Sequence, residues 1–519
     1  MTETELKITL SEEGAAALTA HPALKQLRTR PRRTQNLIST YFDTPTHALA
    51  QAGLSLRLRK TGRRWVQTIK RAQPDAQSGR GLFMRDEIEH PATGGKVVLD
   101  RDDDAGLHAA VTTAIGDQDV APVFETRLRR TTDSLRSPRG GEVELAIDEG
   151  EIIARNHHAP IREAELELVS GDVSGIFDIA RALFDSGPIV FSTATKSGRG
   201  YRLATDGTAD AAPAPLKAGL LQYTADTPIE TVAQRVFQDC FLQISRNMVV
   251  VGGNTAPEGP HQLRIGLRRL RTAIEVLGPT LGGKALAPLA VEARRLALVV
   301  GRLRDIDVLI GDVVTPAAAE GLDDAARDAL LEVLNSHREA VRSEIRAALL
   351  EPDTTRFVLD LAELVETRGW LDPADHAQTL RLATPVGKVA PRLLRVRTKK
   401  VRKKARALAH MDVDRLHDLR KQLKRLRYTA DILDPIYGSK KVKAYIRTLK
   451  DMQDTFGSLN DATMATRYLT GPNAPGRTDP DVQRAAGWVL GMLALRVKED
   501  RPKLARRWAK FAKTRPFWA

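Results

Sequence analysis

Two hydrophobic periods divide the chain. Up to about Leu203, apolar and polar positions alternate in short runs: Glu3 to Leu10, Leu54 to Arg59, Trp65 to Lys70, Met84 to Glu89, Phe124 to Arg130, Glu142 to Asp148 and Glu163 to Val169. A period of two with turn residues between the runs predicts antiparallel strands. The alternation then stops. Thr205 to Pro215 is rich in Ala, Pro and Asp and reads as a linker. Beyond it, Leu, Ala, Arg, Lys and Glu recur at three- and four-residue steps, and these residues favour helix. The expected organisation is a β-rich domain over residues 1–204, a linker over 205–218 and an all-α region over 219–519.

The helical region repeats. HQLRIGLRRLRTAIEVL begins at His261 and HDLRKQLKRLRYTADIL at His417, an offset of 156 residues. The same offset carries Arg246 onto Arg402, Gly301 onto Gly457 and Asp305 onto Asp461. Several landmarks with one spacing predict a duplication, about 226–382 and 383–519, each copy long enough for about four helices with short connections.

Composition narrows the classes. At 519 residues and 42% apolar content the chain is large enough for several cores, which excludes wholesale disorder. Lys and Arg number 80 against 65 Asp and Glu, a surplus of +15 that suits a polyanionic partner. The one cysteine, Cys240, allows neither an internal disulfide nor a cysteine-built zinc site. The opening MTETELKITL is unlike a secretory signal, and no apolar run is long enough to span a membrane. A cytoplasmic protein without membrane contact is expected. The five Trp are scattered and not interleaved with basic residues, so nucleic acid is expected to bind only nonspecifically, through charge. GxxxxGK[ST] does not occur, which excludes a P-loop.

In the strand region, one face of nearly every run is charged. Glu3, Glu5 and Lys7 share a face, as do Arg57 and Arg59; Arg85, Glu87 and Glu89; Glu142, Glu144 and Asp148; and Glu163, Glu165 and Glu167. A solvated outer face would account for this. The grouping of acids and bases by strand favours a closed barrel instead, its charged faces inward and its apolar faces packed on the helical pieces between Ser11 and Leu27 and between Ile176 and Phe184. Stacked carboxylates need a cation, and hard divalent ions take oxygen ligands. Facing arginines and lysines would neutralise a phosphate chain. Acid on one wall, base on another and metal between is a phosphoryl-transfer site.

The segments ETELK, YFDTP, LRLRKTG, WVQTIK, GLFMRDEIEHP, FETRLRRT, EVELAIDEG, EAELELVSG and TKSGRGYRL, in this order from residue 2 to about 204, resemble the CYTH domain, the triphosphate tunnel metalloenzyme fold. The resemblance implies an eight-stranded antiparallel tunnel that binds triphosphate with Mg2+ or Mn2+. It implies that Glu3, Glu5, Lys7 and Glu167 carry the chemistry, and that Glu3, Glu5, Glu165, Glu167 and Asp148 hold metal with Glu144 beside them. It further implies that Lys7, Arg57, Arg59, Lys70, Arg85, Arg130 and Lys196 grip phosphate. Arg127 and Arg129 compete with Arg130, Arg199 stands second to Lys196, and Glu87 either orients Arg85 or assists the metal.

In the helical region, His261, Arg264, Arg268 and Arg271 fall on one helix face, and His417, Arg420, Lys424 and Arg427 repeat it. A solvated basic face is the plain alternative. Like charges at this spacing are unfavourable, and their recurrence in both copies makes sense if an anion offsets them. Both H-x-x-R repeats, with Asp305 and Asp461, resemble the CHAD domain (conserved-histidine α-helical domain) over roughly 219–519. That resemblance implies two four-helix bundles and polyphosphate binding between them; metal binding by the histidines ranks below it among so many cations. Asn460 stands where the first copy has Arg304, so the halves are expected to be unequal.

The expectation is therefore an α+β multidomain protein, a β tunnel followed by duplicated all-α bundles. It would be a metal-dependent inorganic triphosphatase whose helical half holds a longer polyphosphate or tethers it to polyphosphate granules. A non-catalytic polyphosphate-binding protein is the alternative, and adenylyl cyclase a more distant one.

Overall fold

The computed structural model describes residues 2–72, 82–99, 106–185, 189–192, 194–210, 213–282, 284–438, 440–472 and 474–518. Among the described residues, nine strands form one antiparallel sheet: β1 (Thr2–Thr9), β2 (Arg33–Asp43), β3 (Leu54–Thr61), β4 (Arg64–Ala72), β5 (Leu82–Pro91), β6 (Ala121–Arg136), β7 (Glu142–Ala154), β8 (His157–Ser170) and β9 (Val190–Phe191). The order is β5-β4-β3-β2-β6-β7-β8-β1-β9, and β1 also pairs with β5. That second pairing closes β1 to β8 into a barrel. The addition to the expected strands is two-residue β9, which pairs with Ile8 and Thr9 after β5 has paired with residues 2–6 of the same strand.

Local chemistry sets the corners. Gly62, at φ +58°, turns β3 into β4. Asp43, buried at the end of β2, accepts hydrogen bonds from the backbone N–H groups of Thr44, Leu49 and Ala50 and so starts the short helix Ala48–Gln51. Ser11 accepts from Gly14 N and caps helix Glu12–Ala20.

The outward apolar faces are covered by helices, as the alternation requires. Glu12–Ala20 and Ser174–Leu183 lie on β7 and β8, and Ala23–Leu27 lies on β6. Leu54, Leu56 and Ile69 pack under Ala48–Gln51 and Leu107–Ile115. The inward faces change character along the barrel. Leu37, Tyr41, Phe124, Leu128, Ile152 and Ile161 share strand parity with the charged residues, yet they form an apolar cluster with Leu203 and Ala204. Those two belong to helix Lys196–Asp206, capped by Thr195, which thus plugs the apolar section and brings Lys196, on its first turn, to the charged one. The helix runs through Thr205, and Ala209 is buried beyond it, so the expected linker begins inside folded structure.

Residues 1–213 and 350–367 form one compact unit, 214–349 and 368–519 another. Helix Pro352–Thr367 joins the barrel unit through Arg139 to Glu363 at 2.6 Å and Arg181 to Asp360 at 3.0 Å. In the helical unit, Ile229–Gly253, Glu258–Leu281, Leu286–Val308 and Asp324–Leu349 are followed by Val386–Lys404, Val413–Tyr437, Lys440–Thr470 and Pro480–Lys513. The ends at Leu281 and Tyr437, and the starts at Asp324 and Pro480, keep the 156-residue offset. So do the buried stripes Leu263, Leu267, Leu270 and Leu419, Leu423, Leu426. No helix among the described residues is long and apolar enough to cross a membrane.

Gly200 tests the plug. A Cβ there would lie 2.1 Å from the ring of Phe124, which is stacked on Tyr41 at 4.4 Å between centroids. Gly200→Ala is expected to destabilise the barrel unit by about 1–3 kcal/mol through overpacking, read as a lower denaturant midpoint. Gly252→Ala, where the added carbon meets nothing within 4 Å, should not lower it.

Candidate functional site

Barrel closure decides which charges meet. Around the ring β1, β8 and β7 are neighbours, and β3 and β4 lie on the far side of it. Register places Glu5 beside Glu167, and Glu167 beside Glu144. One row further, Lys7 lies beside Glu165, and beyond that Glu163 lies beside Asp148, which is beside Arg130. These side chains point into a cavity of about 1180 Å³ or lie beneath it.

The deeper rows are internally compensated. Arg130 grips Asp148 with both arms, at 2.6 and 2.7 Å, and reaches Glu165 at 2.7 Å. Lys196 lies 2.7 Å from Asp148 and 2.9 Å from Glu165 and also pairs with Glu163. Lys7 pairs with Glu165 and lies 3.2 Å from Glu5. Burial pushes the Asp148 carboxyl up, but Lys196 and Arg130 overcome it and hold the pKa at about 2. Glu165, likewise desolvated, is held well below the usual range by Lys196, Lys7 and Arg130. Lys7, Lys196 and Arg130 are raised against their own burial by these acids.

The far wall is basic. Arg57 hydrogen-bonds Tyr41 and lies 3.6 Å from Glu87 and 3.7 Å from Glu89. Lys70 pairs with Glu87 at 2.6 Å. Burial works to raise the Tyr41 hydroxyl, and Arg57 more than reverses it. Arg59 is different: among the described residues no carboxylate pairs with it, and burial followed by Arg57 and Arg130 presses its pKa down to about 10. Arg127 and Arg129 point outward and are exposed, which leaves Arg130 the inward one. The side chains of Glu3 and Arg85 lie outside the described residues; their backbones are register partners on β1 and β5.

A second charged site lies in the helical unit. Helices Glu258–Leu281 and Val413–Tyr437 touch. Arg264, Arg268, Arg420, Lys424 and Arg427 fall within one another's fields there. Arg264 is paired with Asp305 at 2.7 Å, and Arg427 lies 3.6 Å from Asp431. Arg268 hydrogen-bonds Tyr428. Among the described residues no carboxylate pairs with Arg268, Arg420, Lys424 or Arg271. Arg264, His417 and Arg420 also line a cavity of about 810 Å³. The histidines are unequal: His417 Nδ1 is 3.0 Å from Asn460 Oδ1, whereas His261 is pushed down by burial and then by Arg304.

Family profiles match this layout, a CYTH domain over residues 1–201 and a CHAD domain over 235–470. The chain is a CYTH domain followed by a CHAD domain. It is 30% identical over 202 residues to an inorganic triphosphatase of Haemophilus influenzae, covering 39% of this chain and spanning 54% of that protein's length. It is 29% identical to an uncharacterised protein of Mycobacterium tuberculosis over 87% of this chain and 85% of the relative. The crystal structure of the CHAD domain from the plant Ricinus communis is similar at a TM-score of 0.50 and 26% identity, covering 58% of this chain and 98% of that one.

The CYTH interior offers oxygen donors in two groups. Asp148, Glu163 and Glu165 bring ligand oxygens within 4.8 Å of one another. In this group Asp148, expected as a metal ligand, is paired with Arg130 and Lys196, and Lys196, expected on phosphate, is paired with Asp148, Glu163 and Glu165. The row Glu5–Glu167–Glu144 sets like charges side by side, an arrangement that favours a cation. Its all-carboxylate character suits a hard divalent ion. Glu163, expected on the inward charged face, and Tyr41, within the YFDTP segment, were given no role at the site. Period-two parity with Glu165 and Glu167 points to Glu163; Tyr41 lies on β2, which no alternating run marks. His157 and His158 begin β8, and the exposed His158 lies 2.9 Å from Glu151.

Removing the deep lysine should expose the compensation. The depressed carboxyls of Asp148 and Glu165 contribute stability that is present above their unfolded pKa of about 4 and lost as pH falls through the folded values. Lys196→Met leaves their buried charge less compensated, at a cost of about 3–5 kcal/mol. The acid-unfolding midpoint, followed by circular dichroism, should move to higher pH.

Proposed function

We propose that the CYTH domain hydrolyses inorganic triphosphate with Mg2+ or Mn2+ and that the CHAD domain binds polyphosphate. The observation that carries the first part is the opposition, across the cavity, of the Glu5–Glu167–Glu144 row to Arg59, with which no carboxylate pairs among the described residues. A half-buried cation with no carboxylate beside it, and like charges set side by side, are both costly. A phosphate chain with its cation satisfies both walls at once. The likeness to a protein named inorganic triphosphatase supports the same reading.

In this reading Glu5, Glu144 and Glu167, with Glu165 at their edge and Glu3 on the same strand, hold the metal. The metal, when bound, polarises the terminal phosphate and lowers the pKa of the attacking water. Arg57, Arg59 and Lys70 take the phosphate oxygens, with Arg85 on the neighbouring strand. Lys7 stands between the Glu5 row and Glu165, near the charge that develops on transfer. Arg130 and Lys196 fix the orientation of the acids beneath. The plug makes the cavity a cup, which suits a short chain or a chain end. Arg268, Arg420 and Lys424, with Arg264, Arg427, Arg271 and the two histidines on the same faces, would hold a longer chain and tether the protein to polyphosphate granules in the cytoplasm.

Glu5→Gln should lower metal-dependent phosphate release from triphosphate on the order of 100-fold while circular dichroism and polyphosphate binding stay as in the wild type. Absence of Mg2+- or Mn2+-stimulated release from wild-type protein would sink the hydrolase, leaving a polyphosphate-binding protein. Arg268→Met should weaken polyphosphate binding and reduce its salt slope by about one. The empty protein should nevertheless melt higher, because a buried cation without a carboxylate partner has been removed.

A further inference from the structure

The cavity of about 810 Å³ in the helical unit has walls of two kinds. One is cationic. Arg264 and Arg420, which the 156-residue offset relates, both line it, and helices Lys440–Thr470 and Pro480–Lys513 add Arg467 and Arg501. Arg264 is held by Asp305 at 2.7 Å, and Arg501 donates to the Met411 carbonyl at 2.9 Å. Arg420 Nε is buried and has no hydrogen-bond partner among the described residues. The other wall is apolar and aromatic: Phe456 and Val341 are buried in it, and Met464 and Tyr468 are half-buried. The Tyr468 ring meets His337 edge-on at 5.6 Å between centroids. Its hydroxyl is buried and, among the described residues, likewise has no hydrogen-bond partner.

The second wall belongs to one copy of the repeat. The offset carries Tyr468 onto Asp312, Arg467 onto Gly311 and Arg501 onto Ile345. Leu309–Val314 is a π-helical turn, whereas its counterpart, residues 465–470, continues helix Lys440–Thr470 without a break. A chain of identical phosphates has no use for an apolar, aromatic wall. Arginines beside such a wall suit a ligand with one phosphate end and one flat, hydrogen-bonding end. We propose that this cavity binds a nucleoside triphosphate, its phosphates on Arg264, Arg420 and Arg467 and its base against Tyr468 and Met464. Arg420 Nε and the Tyr468 hydroxyl then gain the partners that they lack. The proposal rests on the reading of the CHAD domain as an anion binder and adds a second ligand class to it. Because Arg264 and Arg420 serve both ligands, nucleotide and polyphosphate compete.

The test uses the full chain with EDTA, which keeps metal-dependent turnover out of the measurement. Isothermal titration with ATP and, separately, with inorganic triphosphate compares two ligands that share a triphosphate and differ in the nucleoside. Wild type should bind ATP about tenfold more tightly, the contribution of one base–aromatic contact. Tyr468→Ala should lose that preference, and Arg467→Met should weaken ATP binding about tenfold through one lost charge-assisted contact. Neither residue belongs to the barrel unit or to the H-x-x-R helices, so a loss in these variants assigns the nucleotide to this cavity. Arg467 is exposed, and its replacement guards against misfolding of Tyr468→Ala. Saturating ATP should displace end-labelled long-chain polyphosphate from wild type, read by fluorescence anisotropy. The proposal is overturned if ATP binds no more tightly than triphosphate, if its affinity is equal in wild type and both variants, or if polyphosphate stays bound under saturating ATP. Failure of wild type to bind polyphosphate in the absence of ATP overturns the anion-binding reading beneath it, and that titration contains no nucleotide.

Discussion

Charge removed from water has to be answered, and how each buried charge is answered organises both units. In the barrel, carboxylates and cations are brought inside together. Where the answer is complete, as for Asp148 between Arg130 and Lys196, the result is a rigid foundation. Where it is incomplete, as for Arg59, the interior holds stored demand for an anion. The difference between a structural and a reactive charge in this barrel is thus a difference in partners. It is not one of residue type, since arginine appears in both roles.

Closure of the sheet makes that distinction possible. An open sheet would let Glu5, Glu144 and Glu167 relax into solvent, where neighbouring carboxylates repel weakly. Pairing of β1 with β5 as well as β8 removes that escape. Helix Lys196–Asp206 then removes another by filling the apolar section with Leu203 and Ala204. The same helix brings Lys196 to the deep acids, so one element both limits the depth of the cavity and compensates its floor. Gly200 is what lets the helix approach Phe124 closely enough to do both.

Much of this was legible in the chain, for identifiable reasons. Period-two alternation marks strands whose two faces differ sharply, so β1, β3, β4 and β8 could be read directly. It does not mark β2, whose residues Leu37, Ser39 and Tyr41 face inward while Ile38 is exposed. With β2 went Tyr41 and its bond to Arg57. Parity separated Arg130 from Arg127 and Arg129 but could not choose between them, because the choice depends on which face the barrel encloses. Pairing was also out of reach. Glu163, Glu165 and Glu167 are equivalent in a period-two pattern, yet Lys196, arriving from a helix more than twenty-five residues later, satisfies the first two. Repeats were the most readable feature of all, since an offset survives any detail of packing.

The helical unit shows what duplication leaves behind once two copies face each other. A perfect repeat would bring identical cations together at the contact and double the repulsion there. The copies differ where this matters. Lys424 stands at the position of Arg268, and Asn460 stands at that of Arg304, which turns a repulsive neighbour of one histidine into a hydrogen-bonding neighbour of the other. The change from Arg304 to Asn460 removes a positive charge from the second copy, and neither change touches the leucine stripe that holds its helix in place. The buried face changes around that stripe as well, Thr272 to Tyr428 and Val276 to Ile432, so the repeats keep one fold while the side chains at their contact diverge.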